Sequence, residues 1–224
     1  MRLSDSPTSE TGQPLVELTA VMARLRAECA WKAGQTHRSL ARYLLEETHE
    51  TLEAIDTGDS DHLREELGDL LLQVYFHAVI AEETGAFTLD DVARGITEKM
   101  RRRNPHVFAP EGEPLAPGGD AAEVNDTWQA IKAREKPGAP VTEGIPETLP
   151  ALLHADKVLD RLARRDPALV EGLARRPSDD PDGATLGDRL LALVAEAREA
   201  GVDPEQALRD SVRHLLNADP PVVH

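Results

Sequence analysis

The chain has 224 residues, with 25 Lys and Arg against 41 Asp and Glu, a formal net charge of −16 with histidine neutral. That balance argues against a protein whose main task is gripping nucleic-acid phosphates, since such affinity comes from clustered Lys and Arg that displace counterions. With 3% aromatic residues, one cysteine (Cys29) and no apolar run near the length of a membrane span, the composition predicts a helical cytoplasmic protein. Neither a disulfide framework nor a membrane is expected.

Residues 1–13 are rich in Ser, Thr, Glu and Pro and are expected to be disordered. From Leu15 the apolar positions Leu15, Leu18, Val21, Met22 and Leu25 mark a helix that runs out near Cys29, followed by a connector, AWKAGQT. A second helix is predicted at about 38–57, stopped by Gly58. Asp59 or Ser60 caps a third that runs to about Thr84, where Gly85 ends it. Thr88 and Asp91 have capping-box spacing for a fourth helix, which must stop before Pro105. Four helices on short loops predict an antiparallel bundle. Beyond a Pro/Gly-rich loop at 109–122, helices are expected near 123–135, 147–165, 185–200 and 204–217, with Asp203 capping the last. Nothing alternates strand with helix.

Acidic residues on helices usually form a solvated face, but two helical wheels here place acids beside apolar residues. Glu47 and Glu50 share a strip with Tyr43 and Ala54, next to an apolar arc of Leu44, Thr48, Leu52 and Ile55. Glu66 and Asp69 share a strip with His62 and Gln73, flanked by Leu63, Leu67, Leu70 and Val74 on one side and Leu72, Phe76 and Val79 on the other. The run from Leu70, LLLQVYFHAVIA, has no continuous polar face, so this helix is expected to be largely buried. Buried carboxylates facing one another resist ionisation unless positive charge sits among them. Oxygen-only ligands at i, i+3 spacing suit Mg²⁺ or Mn²⁺, and four carboxylates balance two divalent ions.

The strings Glu46-Glu47-Thr48-His49-Glu50 and Glu66-Leu67-Gly68-Asp69 resemble the EExxE plus ExxD pattern of the MazG family of nucleoside triphosphate pyrophosphohydrolases. QTHRSLARYLLEETHETLEAI, LREELGDLLLQVYFHA and KMRRRNPHVF resemble it as well, over about residues 15–135 and on through IPETLPALLHADKV. The resemblance implies an all-α fold, a MazG-like helical bundle completed by homodimerisation or a higher homo-oligomer, and a small helical C-terminal tail. It also implies Mg²⁺-dependent cleavage of a nucleoside triphosphate to the monophosphate and pyrophosphate, with Mn²⁺ as a possible substitute. On this reading 1–13 is a disordered N-terminus, 14–135 the catalytic domain, 136–146 a linker and 147–224 a degenerate second MazG-like segment.

Carried over position by position, the resemblance makes Glu47, Glu50, Glu66 and Asp69 the metal ligands and catalytic carboxylates. Glu46 points about 100° away from Glu47 and suits a surrounding or surface role. Water is expected to attack the α-phosphorus, with Glu47 helping to orient or deprotonate it. Lys99 and Arg103 share a helix face, with Arg102 adjacent, and the resemblance sets them against the triphosphate. A basic last turn favoured by the helix dipole is the plainer reading of KMRRR. Trp128 and Lys132 form another i, i+4 pair, suited to base stacking and a phosphate contact, or to docking an amphipathic helix on the bundle.

Two positions depart from the family pattern. Cys29-Ala30-Trp31-Lys32 stands where Cys-Pro-Trp-Asp is common, and His62 occupies a place that can carry Lys four residues before the ExxD glutamate. His37, His49 and His77 show no metal-like spacing, Cys29 reads as a small buried residue, and there is no Gly-rich phosphate loop. In the tail, Leu186-Gly187-Asp188 echoes Leu67-Gly68-Asp69 with Thr185 in place of Glu66, so this segment reads as catalytically empty. The functional expectation is hydrolysis of ordinary or damaged nucleoside triphosphates, a nucleotide-pool housecleaning role. The alternatives are a catalytically weakened nucleotide-sensing or protein-binding helical dimer, and a pyrophosphohydrolase of a metabolite such as phosphoribosyl-ATP, which the long KMRRRNPHVF and WQAIK contexts disfavour.

Overall fold

A computed structural model describes residues 12–108, 118–135, 138–174 and 185–218, and the described residues are helical without a strand. The predicted N-terminal disorder at 1–11 and the loop at 109–117 lie outside the described residues. Gln13, assigned to that N-terminus, instead begins the first helix.

The helices are α1 (Gln13–Glu28), α2 (Ala30–Ala33), α3 (His37–Thr57), α4 (Ser60–Glu83) and α5 (Leu89–Arg103), followed by α6 (Ala121–Glu135), α7 (Ala151–Ala163), α8 (Pro167–Ala174), α9 (Leu186–Glu199) and α10 (Pro204–Ala218). The caps explain the boundaries. Thr36 and Thr88 each accept from the N3 backbone while Ser39 and Asp91 return the bond, two capping boxes that satisfy otherwise orphaned N–H groups. Gly58 ends α3 at φ 72°, a left-handed conformation that costs a glycine little. Asp59 accepts from the N–H groups of Asp61 and His62, which start α4 two residues after α3 stops.

Three boundaries differ from the sequence expectation. The connector after Cys29 contains one helical turn, α2, held by Arg26, whose guanidinium donates to the carbonyls of Lys32 and Gln35. The helix expected from 147 starts at Ala151, because Pro146 opens a turn and Pro150 lacks the N–H to continue one inward. The eight-residue α8 was not expected; Asp166 accepts from the Leu169 N–H and Pro167 takes the first helical position.

The chain divides into two compact units, Met1–Lys132 and Ala133–His224. In the first, α1, α3 and α4 enclose Met22, Leu40, Tyr75, Phe76 and Ile80. The Tyr75 hydroxyl donates to the Leu15 carbonyl at 3.0 Å, and Arg26 donates to both Glu83 oxygens, so both ends of α1 are tied to α4. The Arg26 hydrogen bond holds the Glu83 carboxyl below its ordinary value. From α5, Leu89 packs on this core, whereas Val92, Ile96 and Met100 are exposed. In the second unit α7, α8 and α9 enclose Leu159, Val170, Val194 and Ala195.

The outward faces of α3 and α4 correct the helical-wheel reading. Leu44, Thr48 and Ile55, expected to be the apolar arc of the second helix, are exposed, and Leu40, Thr51 and Ala54 are buried instead. On α4 the Phe76 side is buried, while Leu67 and Val74 stand open. The acid-bearing strips therefore line the seam between α3 and α4. Tyr43, Thr51, Ala54 and Gln73 share those strips, and small or amphipathic side chains there let the two helices approach.

Candidate active site

The seam brings Glu47 of α3 together with Glu66 and Asp69 of α4. One carboxylate oxygen from each lies within 4.8 Å of the others, the span a single cation bridges with ordinary oxygen ligands. Glu66 is 8% exposed, and its Oε2 is buried without a hydrogen-bond partner. Burial, together with the charges of Asp69, Glu50, Glu66 and Glu46, raises the Glu47 carboxyl above its ordinary value. Three acids converging on one point, one oxygen unpartnered and one carboxyl made reluctant to ionise, form a donor set that fits a hard divalent cation. Glu50 is exposed and outside this triad, although its charge is felt at Glu47; Glu46 is exposed.

Other side chains surround the cluster. Thr51 is buried one turn past Glu47 and its hydroxyl donates to the Glu47 carbonyl at 2.8 Å. His62 Nε2 lies 3.1 Å from Glu66 Oε1, so the imidazole faces one oxygen of the carboxylate whose other oxygen is unpartnered. Gln73, one turn beyond Asp69, is 5% exposed with its Oε1 buried and unpartnered. The wheel placed Gln73 on the acid strip, but nothing in the sequence distinguished it from core filling.

Farther along the seam His37 and His77 meet, Nδ1 to Nδ1 at 2.7 Å with rings parallel within 2°. Burial first, then the neighbouring His37, lowers the His77 pKa. The two are forty positions apart, and the pairing of α3 with α4 unites residues that showed no common spacing in the sequence. Trp31 is exposed and meets Tyr43 edge-on at 6.1 Å, with the Lys32 ammonium over the Trp31 and Phe76 rings at 5.4 and 5.3 Å. Lys32, where the family pattern has an acid, thus packs on aromatic faces. Cys29 is half-buried.

The predicted substrate-binding residues lie on α5 and α6. Lys99 is half-buried and Arg102 exposed on α5. Arg103, the last residue of α5, lies over the Trp128 ring of α6, its Cζ 5.0 Å from the centroid, and the Lys132 Nζ lies 5.3 Å from the same centroid.

In the second unit, Thr185 and Asp188 have a different place from the residues they echo. Thr185 is the N-cap of α9 and Asp188 closes its capping box, whereas Glu66 and Asp69 lie well inside α4. The Asp188 carboxylate accepts from the Thr185 N–H and hydroxyl, a local cap.

Among the described residues, helices alone, with carboxylates from two of them converging on one point, define an all-α protein with an acidic cluster that could hold a cation. A family model, the MazG nucleotide pyrophosphohydrolase domain, matches residues 35–108, which include α3, α4 and α5. An uncharacterised 26.1 kDa protein of Streptomyces cacaoi is 43% identical over 201 residues, 88% of this chain and 78% of its own. The nucleoside triphosphate pyrophosphohydrolase/pyrophosphatase MazG of Thermotoga maritima is 39% identical over an alignment of 225 residues, 92% of this chain and 84% of its own. The nucleoside triphosphate pyrophosphohydrolase of Escherichia coli is 42% identical over 216, covering 86% and 80%. The chain belongs to the MazG family.

Proposed function

We propose that this chain hydrolyses nucleoside triphosphates to monophosphates and pyrophosphate with Mg²⁺, or Mn²⁺ in its place, in nucleotide-pool housecleaning. The observation that carries the reading is the convergence of Glu47, Glu66 and Asp69 with the buried, unpartnered Glu66 Oε2. Family membership and the relatives named as pyrophosphohydrolases support the reaction class.

Glu47, Glu66 and Asp69 would hold the cation, with Glu50, one turn along α3 from Glu47, as a fourth carboxylate beside them. A divalent cation there supplies positive charge against phosphate oxygens and acidifies water held in the site. The chain's residues do the rest. Glu47, which reaches the same point as Glu66 and Asp69, would orient attacking water or accept its proton. His62 holds one Glu66 oxygen, so the other stays directed into the cluster. Lys99, Arg102, Arg103, Trp128 and Lys132 bind the nucleotide, the guanidinium and ammonium groups neutralising phosphate oxygens on the pyrophosphate leaving group.

The exposed apolar stripe of α5, with Leu44, Ile55, Leu67 and Val74, supports a homodimer or higher homo-oligomer that covers these faces with a second copy.

The deciding experiment incubates the protein with each nucleoside triphosphate and Mg²⁺ in H₂¹⁸O and analyses both products. Monophosphate carrying the label, with unlabelled pyrophosphate, is the expected result. Label in pyrophosphate places the attack on the β-phosphorus, and orthophosphate release excludes the proposed bond. Nucleotide binding without turnover, alike in wild type and Glu50→Ala, returns the nucleotide-sensing alternative.

A further inference from the structure

Among the described residues, the buried side-chain polar atoms without a hydrogen-bond partner are Glu66 Oε2, Gln73 Oε1 and His77 Nε2. Spacings of seven and then four residues put all three on one strip of α4, the strip that meets Glu47 and His37 of α3. Burying an acceptor without a donor is costly, so such atoms are rare, and a row of them along one seam points to a ligand. The cation reading accounts for Glu66, and His77 is held through Nδ1 by His37 at 2.7 Å. Gln73 is accounted for by neither, although at 5% exposure it is as enclosed as Glu66 at 8%.

Glu47 beside Asp69 and His37 beside His77 bracket Gln73 and make α3 antiparallel to α4. In the stretch of α3 opposite Gln73, Leu40 is buried, Tyr43 is half-buried and the other residues from 38 to 46 are exposed. The leucine has no side-chain hydrogen to donate, and Gln73 Oε1 stays unpaired. Gln73 stands about 6 Å beyond Asp69 along the seam, at 1.5 Å of rise per residue. Toward that end the exposed Trp31 meets Tyr43 edge-on, and Tyr43 is one turn before Glu47. Toward the other end His62 is turned onto Glu66 itself. A nucleotide with its phosphates at the acids therefore finds aromatic surface for its base in the direction of Gln73. Between the α-phosphate and the base comes the sugar, whose hydroxyls are the donors that Oε1 lacks.

We propose that Gln73 is a specificity-determining residue for the sugar, its Oε1 accepting a hydrogen bond from a sugar hydroxyl of a nucleotide whose phosphates lie at Glu47, Glu66 and Asp69. The placement of those phosphates rests on the pyrophosphohydrolase reading above. An analogue without the hydroxyl leaves the buried acceptor unpaired, so the site rejects it, whereas stacking on an aromatic face tolerates any base.

The test titrates the full chain by calorimetry, with Mg²⁺, against the non-hydrolysable α,β-methylene analogue of ATP and its 2′-deoxy, 3′-deoxy and 2′,3′-dideoxy forms. Wild type is compared with Gln73→Met, which nearly keeps the volume and removes the acceptor, and with Gln73→Leu, each first checked for its helical circular dichroism. Wild type is expected to bind the dideoxy form about tenfold more weakly than the ribose form. In both variants that ratio falls toward one, chiefly through weaker binding of the ribose form. The single-deoxy form that reproduces the dideoxy loss in wild type identifies the hydroxyl as 2′ or 3′. Equal wild-type affinity for all four forms, an unchanged ratio in both variants, or an equal loss on all four forms, as an amide holding a structural water gives, overturns the proposal. Cleavage of ATP to monophosphate and pyrophosphate without sugar discrimination removes this proposal and leaves the catalytic reading standing. Sugar discrimination that the variants lose, without pyrophosphate release from ATP, does the reverse.

Discussion

Glu66 and Asp69 each bring a carboxylate oxygen to the point that Glu47 also reaches, so removing either charge leaves the cluster unable to balance a divalent cation. Glu66→Gln and Asp69→Asn are each expected to lower pyrophosphate release by about a hundredfold or more, since even outer-shell changes cost about 10- to 100-fold. Both should also remove the rise of several degrees in unfolding midpoint that Mn²⁺ gives wild type at about 100 times its Kd, read by differential scanning calorimetry. An unchanged midpoint shift in both variants places the cation elsewhere. The acids were legible in the sequence because their spacing repeats a pattern, and the wheel put them on defined strips. Burial of the acids on α4 was legible from its apolar run, but which arc beside each strip packs inward was not, because the wheel alone cannot choose between two apolar flanks. His62 beside Glu66 and His37 beside His77 show the two kinds of case. The first pair is local at i, i+4, whereas the second needs α3 to lie against α4.

Helix ends were the most readable elements, since Gly58, Asp59, Thr88 and Asp91 act through their own backbone neighbourhood. Gly58→Ala keeps the space but places a Cβ at φ 72°, and is expected to destabilise the fold by about 1 kcal/mol in urea unfolding. In the second unit, α7 is joined to α9 by Arg198, which donates to Asp156 Oδ1 at 2.7 Å and Asp160 Oδ1 at 3.0 Å. Burial pushes the Asp160 carboxyl up, but the hydrogen bonds and charges of Arg164 and Arg198 outweigh it, and its pKa lies below the ordinary value. A carboxyl depressed in the fold contributes stability that is present above its unfolded pKa and is lost as pH falls through the folded one. Wild type should therefore lose this contribution below about pH 4, and Asp160→Asn should lose about 1–3 kcal/mol at neutral pH while flattening that acid limb in urea titrations. The short α8 escaped sequence reading because eight residues carry too little periodicity, and its Asp166-Pro167 start was the available signal.

Across the whole molecule, charge and apolar surface are each arranged locally. The net charge of −16 conceals a point where three acids converge and a ring over which both Arg103 and Lys132 lie. Val92, Ile96 and Met100 recur at helical spacing on exposed α5, so Ile96→Asp is expected to dissociate the proposed assembly. Light scattering should then give 24.4 kDa for the variant and a multiple of it for wild type. A wild-type monomer overturns that reading. The sequence by itself determined the helical class, most helix limits and the spacing of the acidic pattern, because periodicity, caps and residue spacing operate over a few neighbouring residues. Only the tertiary structure decided which strips of α3 and α4 face each other, that Leu44, Ile55, Leu67 and Val74 remain open, and that Arg103 meets Trp128. These outcomes depend on competition between apolar faces and on contacts between residues far apart in the chain, which local spacing does not encode.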